Sequence, residues 1–292
     1  MADHIVVSGS SAAYFPLLQD LIISSAPARK RHRSALGILD FGLPEHAVTW
    51  LVAQGAVVVR IDAVLAALPE IWRPPSFLPY VTRPMLDTYF PGHGTILWLD
   101  ADTWFQDAEA LDAFIEGAAR TDLTIVAERH PGYRYQAWLQ AWMLKHFIAG
   151  YGVRRGLWLM TRSHLNAGAF ALRTSAPHWA LWKKNYAIAF DRTGRALPHD
   201  QFALNQIVYE NYPDARILPA MWNWIGDRGP PYWDDAKRCF CTPDASHEPI
   251  RIMALAGPAK RLNYRVPKLG GGFVETNLRF AAFEKLRGDT IG

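Results

Sequence analysis

Cysteine is nearly missing from this 292-residue chain: Cys239 and Cys241 are the only two. Their Cys-x-Cys spacing is too short for an unstrained disulfide, and no second ligand pair for a zinc site accompanies them. Reduced thiols are expected, which excludes a disulfide scaffold. No run of about 18 or more apolar residues is present, so no helix that crosses a bilayer is expected. The first residues carry no basic and apolar secretion signal, and a cytoplasmic location is expected. An excess of one charge is also lacking, with 31 Lys and Arg against 27 Asp and Glu and a formal net charge of +4. Such a mild balance suits anionic substrates or peripheral contact with an acidic membrane face and selects neither. The one basic run, "ARKRHR" (Ala28 to Arg33), is short enough to read as a solvated loop or a contact with acidic lipid headgroups, and no nucleic-acid partner is expected. Internal repeats and low-complexity tracts are absent.

Apolar residues are plentiful, at 50% of the chain, and 12 of them are Trp. Each Trp reads first as core packing, although an indole can also stack on the apolar face of a sugar or base. Length alone suggests about two domains, but α/β chains of this size often form one unit around a single sheet. The expectation is one domain over residues 1–265 and a C-terminal tail or helix over 266–292.

The first ~130 residues alternate strand and helix. "HIVVSG", "SALGILDF", "GAVVVRID", "TILWL" and "DLTIVAE" read as buried strands. "YFPLLQDLIISSA", "LPEHAVTWLVAQ" (ending at Gly55), the short "RPMLDTYF" and "DAEALDAFIEGAAR" read as helices. The proline-rich "DAVLAALPEIWRPPSFLPYVT" (62–82) reads as an irregular loop. Further on, "YRYQAWLQAWMLKHFIAGYG", "APHWALWKKNYAIAFDR" and "HDQFALNQIVYENY" read as helices, and "VRRGLWLMTRSHLNAGAFALR" as irregular chain entering a strand. Residues 227–249, rich in turn formers, read as a mobile surface loop, "KLGGGF" as a flexible break and "ETNLRFAAFEKLRG" as a terminal helix. The predicted class is α/β: a Rossmann-like, mixed but mainly parallel sheet with helices on both faces, its ligands beyond the carboxyl ends of the strands.

At one such end stand Asp100 and Asp102, in "TILWLDADTWFQD". Two carboxylates so close repel unless a cation, a proton or solvent offsets them. Mg²⁺ or Mn²⁺ takes such oxygen ligands and shares them with substrate phosphates, which points to a phosphate-bearing substrate. Asp-x-Asp alone also occurs in solvated turns.

"RPMLDTYFP", "ILWLDAD", "LNAGAFALR", "HDQFALNQ" and "GPAK" stand in the order and approximate spacing of glycosyltransferase family 8. Over most of residues 4 to 262 the chain resembles these retaining enzymes, among them glycogenin and the bacterial lipooligosaccharide galactosyltransferases. The resemblance implies the nucleotide-diphospho-sugar transferase fold and transfer of a sugar from a nucleotide diphosphate, UDP favoured, to an acceptor hydroxyl on a glycan, lipid-linked sugar or protein in bacterial glycoconjugate or polysaccharide synthesis. It places Asp100 near the donor ribose and metal, and Asp102 as the principal metal ligand. It places Arg83 on the donor sugar or diphosphate, Asn166 and Gly168 in the sugar pocket, Asp200 and Gln201 beside the anomeric carbon, and Lys260 with Gly257 on the diphosphate. Without it, Arg83 and Lys260 read as surface charges and Asp200 as a helix N-cap.

Two departures bear on this. The family's metal-binding His falls on Ala254, so the ion is held by the aspartates, diphosphate and water, or His247 substitutes, or metal dependence is weakened. The first loop, "VSGSSAAYFP", carries Ser8, Ser10 and Ser11 where an acid commonly reads uracil, which leaves the base open, with Tyr14 placed to stack on it. A catalytically silent protein that still binds nucleotide sugars is one alternative, encouraged by Ala254. The other is an Asp-x-Asp phosphatase, although Trp104 stands where that class has Thr or Val. Acceptor contacts are expected in Tyr133 to Trp158 and in the 227–249 loop.

Overall fold

The computed structural model describes residues 3–61, 74–195 and 197–288, together with Glu70. Its centre is a seven-stranded sheet in the order β3-β2-β1-β4-β7-β6-β8. The strands are β1 (His4–Ser10), β2 (Ala35–Asp40), β3 (Ala56–Arg60), β4 (Thr95–Leu99), β6 (Leu123–Ala127), β7 (Leu165–Arg173) and β8 (Arg216–Leu218). β3, β2, β1 and β4 run parallel, as do β6 and β8, while β7 runs antiparallel to both β4 and β6. The mixed, mainly parallel α/β sheet expected from the sequence is the one observed.

Pleating sends alternate side chains to opposite faces of that sheet. Ile5, Val7, Ile96, Trp98 and Phe170 enter one apolar core, and Val6, Leu97, Leu99 and Ala169 enter the other with Phe114. Both faces of the strands are covered, which is why β4 reads as an unbroken hydrophobic run with all five residues buried. The covering helices are α1 (Phe15–Arg31), α2 (Glu45–Ala53), α3 (Leu78–Thr82), α4 (Leu86–Tyr89), α5 (Ala110–Thr121), α6 (Ala137–Tyr151), α7 (Val153–Met160), α8 (His178–Thr193) and α9 (His199–Asn211). α2 ends as expected, with Gly55 at φ +77° just past it.

A third core, around Trp104, Trp224, Trp233, Phe240 and Phe283, holds the C-terminal part. A small sheet of β5 (Thr103–Phe105), β12 (Ile252–Ala254) and β9 (Trp224–Ile225) backs it. Residues 227–249, expected as a mobile loop, instead carry a hairpin of β10 (Tyr232–Asp234) and β11 (Cys239–Cys241), in which Trp233 faces Phe240. Both side chains are buried, and their burial outweighs the turn-forming composition around them. "KLGGGF" is likewise the turn of a hairpin, β13 (Asn263–Pro267) with β14 (Phe273–Asn277), where Gly271 and Gly272 take positive φ. A terminal helix, α10 (Phe280–Gly288), follows and seats Phe283 on Trp104 at 4.9 Å between rings.

Three further expectations change. Residues 153–160 form helix α7 and not irregular chain; a side chain at Gly156 would collide with the backbone of Ile148, so this glycine lets α7 lie against α6. The run Ala28 to Arg31 is the last turn of α1, where Arg31 pairs with Glu109 and Asp112 and His32 with Asp112. Within the proline-rich stretch, residues 62–69 and 71–73 lie outside the described residues, and its end forms α3. Among the described residues no helix is long and apolar enough to cross a membrane.

Candidate active site

β4 ends at Leu99 and the chain turns at once. The amide of Asp100 donates to the carbonyl of Gly168 at 2.8 Å, and Thr103 returns its amide and hydroxyl to the carbonyl of Asp100. That tight turn leads straight into β5. Leu255, after β12, donates its amide to the carbonyl of Asp102 at 2.8 Å, so the acidic corner is clamped from two sheets.

The two acids do not share one partner. Nε1 of Trp98 donates to Asp100 Oδ1 at 2.8 Å, and an Arg83 guanidinium nitrogen lies 3.6 Å from the same oxygen. Asp102 Oδ2 lies 2.8 Å from Nζ of Lys260, which also stands 5.1 Å from the centre of the Tyr14 ring. Burial pulls the Lys260 ammonium down, but the charge and hydrogen bond of Asp102, with Tyr14, more than offset it and hold its pKa above the ordinary value. The surface-lysine reading is excluded by this contact.

Arg83 is no surface charge either, at 3% exposure. It reaches Asp200 Oδ2 at 2.7 Å and lies over the ring of Tyr80. Asp200 sits within the first turn of α9, whose cap position is Pro198, so it is not an N-cap. It is fully buried, and burial pushes its carboxyl up to about 7 against the opposing pull of Arg83. Besides this close contact with Arg83, hydrogen bonds from the backbone at Asp200 and Gln201 favour the charged carboxylate.

Gln201, next in α9, is held from both ends of its amide. Its carbonyl oxygen accepts the amide of Ala167 at 3.0 Å, and its nitrogen lies 2.7 Å from His164 Nε2 and 3.3 Å from Glu128 Oε1. Arg228 pairs with Glu128 at 3.1 Å. Burial raises Glu128, but Arg228 and His164, with hydrogen bonds from Arg228 and Gln201, hold it below the usual carboxylate range; His164 is lowered by its own burial. On β7, Asn166 accepts the amide of Gly168 at 2.6 Å. A side chain on Gly168 would meet Asp100 Oδ2 at 2.6 Å, so glycine leaves that carboxylate its space.

A cavity of about 420 Å³ gathers these groups: Arg83, Asp100, Asp102, Asn166, Asp200, Gln201, Gly257 and Lys260 all line it, with Glu128, His164 and Arg228. A smaller one, of about 120 Å³, adjoins it between Ser10, Ser11, Tyr14 and Tyr80 and shares Arg83, Asp100, Asp102 and Lys260. Ser8, expected on the donor, lines neither; its hydroxyl donates to the carbonyl of Leu99 at 2.7 Å and ties β1 to β4 inside the sheet. Gly168 stands behind Asp100 and not on the cavity wall. Sequence reasoning missed Glu128 and His164, while Arg228 falls in the 227–249 stretch expected to contact the acceptor. Glu128 had a signal, an acid just beyond a buried strand, like Asp100; His164 had none.

Two carboxylates suit Mg²⁺ or Mn²⁺ when substrate phosphates and water complete its shell. Asp100 and Asp102 fit that role from one cavity wall, although among the described residues no cluster of three or more His, Cys, Asp or Glu is placed to hold a metal. Ala254 lines the same cavity, while His247 lies outside it, its Nδ1 3.2 Å from the carbonyl of Thr242, and does not substitute.

The sheet and this corner define the class: the chain has the fold of the GT-A glycosyltransferases. Galactosyltransferase LgtC, in a complex with donor and acceptor sugar analogs, superposes with a TM-score of 0.59 at 15% identity, over 98% of this chain and 96% of that one. Mouse xyloside xylosyltransferase 1 gives 0.51 at 13% identity over 86% and 97%. The Streptococcus pneumoniae glycosyltransferase GlyE gives 0.54 at 14% identity over 98% of this chain and 60% of that one. No protein-family model and no curated protein matches the chain.

Proposed function

We propose that the chain is a retaining glycosyltransferase that moves a sugar from a nucleotide diphosphate to an acceptor hydroxyl. One observation carries this: a single cavity beyond the strand ends collects the two acids of the β4 corner, a lysine aimed at them, and the amides of Asn166 and Gln201. Its volume, about 420 Å³, suits a small ligand. In this reading the smaller cavity takes the nucleoside, with Tyr14 beside the base, and UDP is the favoured donor. Lys260 meets the charge that builds on the departing diphosphate, which is electrostatic catalysis aimed at the transition state. Asn166 and Gln201 position the donor sugar, and the buried Arg83–Asp200 pair holds Asp100 in place. A Mn²⁺ or Mg²⁺ ion held by Asp100 and Asp102 would supply further positive charge at the diphosphate. Synthesis of bacterial glycoconjugates in the cytoplasm, peripheral to the membrane, is the setting that fits best.

The test incubates the purified chain with a panel of nucleotide sugars and Mn²⁺, and measures nucleotide release and sugar transfer. Turnover that disappears in Asp102→Ala, with the fold intact by circular dichroism, supports the reading. Full turnover in the metal-stripped Asp102→Ala variant would defeat it, and binding without turnover selects the silent protein.

A further inference from the structure

A second cavity, of about 370 Å³, adjoins the first and shares Glu128, Gln136, His164 and Arg228 with it. Four arginines line it: Arg129, Arg134, Arg162 and Arg228. Among the described residues only Arg228 has a carboxylate partner there, Glu128, the one acid on the wall. Arg129, Arg134 and Arg162 are exposed, and among the described residues none of the three has a carboxylate within salt-bridge distance; Arg162 lies over the ring of Trp158. Lone surface arginines are ordinary, but three uncompensated ones around one concavity make a positive field that concentrates anions. Tyr135 on the same wall and Trp138 on the wall of the first cavity are 81% and 67% exposed. Aromatic faces suit the apolar face of a sugar ring, and the planar, multi-donor guanidinium suits phosphate or carboxylate.

We infer that this second cavity is the acceptor site and that the acceptor is an anionic sugar, one that carries a phosphate or carboxylate gripped by Arg129, Arg134 and Arg162. The inference rests on the donor reading of the first cavity, with which this one shares Glu128, His164 and Arg228.

The test uses the full chain with UDP present and measures the affinity of three probes by calorimetry: galactose 6-phosphate, glucuronic acid and neutral galactose. The charged probes should bind at least about tenfold more tightly than galactose, and the preference should shrink as salt rises from about 50 to about 300 mM. In the triple variant Arg129→Gln, Arg134→Gln, Arg162→Gln the preference should fall below about threefold while UDP affinity holds. These side chains are exposed, so the variant keeps its fold, checked by its melting temperature. Comparing the two charged probes separates a phosphate site from a carboxylate site. Equal affinity for charged and neutral probes, a preference that survives the triple change, or displacement of UDP by the sugar phosphate each overturns the inference. Failure of the wild-type chain to bind UDP at all strikes the donor reading instead, and is read separately in the same titration.

Discussion

Nζ of Lys260, in the short 3₁₀ turn Gly257–Lys260, stands 2.8 Å from Oδ2 of Asp102, in the turn between β4 and β5. Residues distant in the sequence thus place a fixed positive charge against the acidic corner. Lys260→Met should lower kcat with a nucleotide sugar by about 10²-fold, the scale lost when one transition-state charge partner is removed. Its effect on stability should be on the order of 2 kcal/mol, because the change leaves the largely buried Asp102 carboxyl without its cation. Steady-state kinetics and urea unfolding check both. An unchanged kcat would remove Lys260 from the chemistry.

Arg83 offers the opposite balance, being almost wholly buried with Asp200. Arg83→Met leaves the Asp200 carboxyl buried without its cation, a loss on the order of 3 kcal/mol. Burial already holds that carboxyl at about 7, so it accepts a proton when its partner is gone, and the loss should be smaller at pH 5 than at pH 8. Equal destabilisation at both pH values would contradict the assignment.

Asp200 also sets a pH dependence whose sign can be worked out. Its carboxyl titrates near 3.8 in the unfolded chain and near 7 in the native one, so between those values only the native state holds the proton. Raising the pH through that window strips a proton from the native state alone and lowers stability; below 3.8 and above 7 the contribution is flat. Histidines work the other way. His178 and His199, buried with both ring nitrogens unpartnered, are lowered by burial to about 4, and their contribution is lost as pH falls below 6.5. The difference between wild type and Asp200→Asn isolates the carboxyl. Measured by urea unfolding, the variant should gain on the wild type from pH 5 to pH 8, and a constant difference would refute it.

Ala254 lines the first cavity at the position where the resemblance calls for a metal-binding histidine. With UDP bound, Ala254→His should tighten Mn²⁺ binding by about tenfold or more, since a third protein ligand joins the two carboxylates. Calorimetric titration of Mn²⁺ decides it; no gain would mean that Asp100 and Asp102 do not hold the ion.

Much of the fold was legible because its signals are local. The buried apolar runs of β1 to β4, the glycine stop of α2 and the acids at the end of β4 each depend on a handful of neighbouring residues and on which side chains water rejects. Where the reading failed, the deciding contacts were distant. Trp233 and Phe240 form a hairpin because Trp104 and Phe283 give them an apolar seat, and α7 forms because Gly156 admits Ile148. Ser8 followed the same rule: at the end of a strand it looked like a loop residue, and the neighbouring β4 drew its hydroxyl inside.

By itself, then, the sequence determined the alternation of strands and helices over the first ~130 residues and put Asp100 and Asp102 at the lip of β4, because backbone hydrogen bonding and side-chain burial act over short stretches of chain. Only the tertiary structure decided their partners. The antiparallel entry of β7 beside β4 brings Gly168 to Asp100, α9 sets Asp200 under Arg83 and Gln201 against Glu128, and β12 carries Lys260 back to Asp102. Electrostatic pairing depends on distance in space, and that distance is fixed by the order of the strands and not by their spacing along the chain.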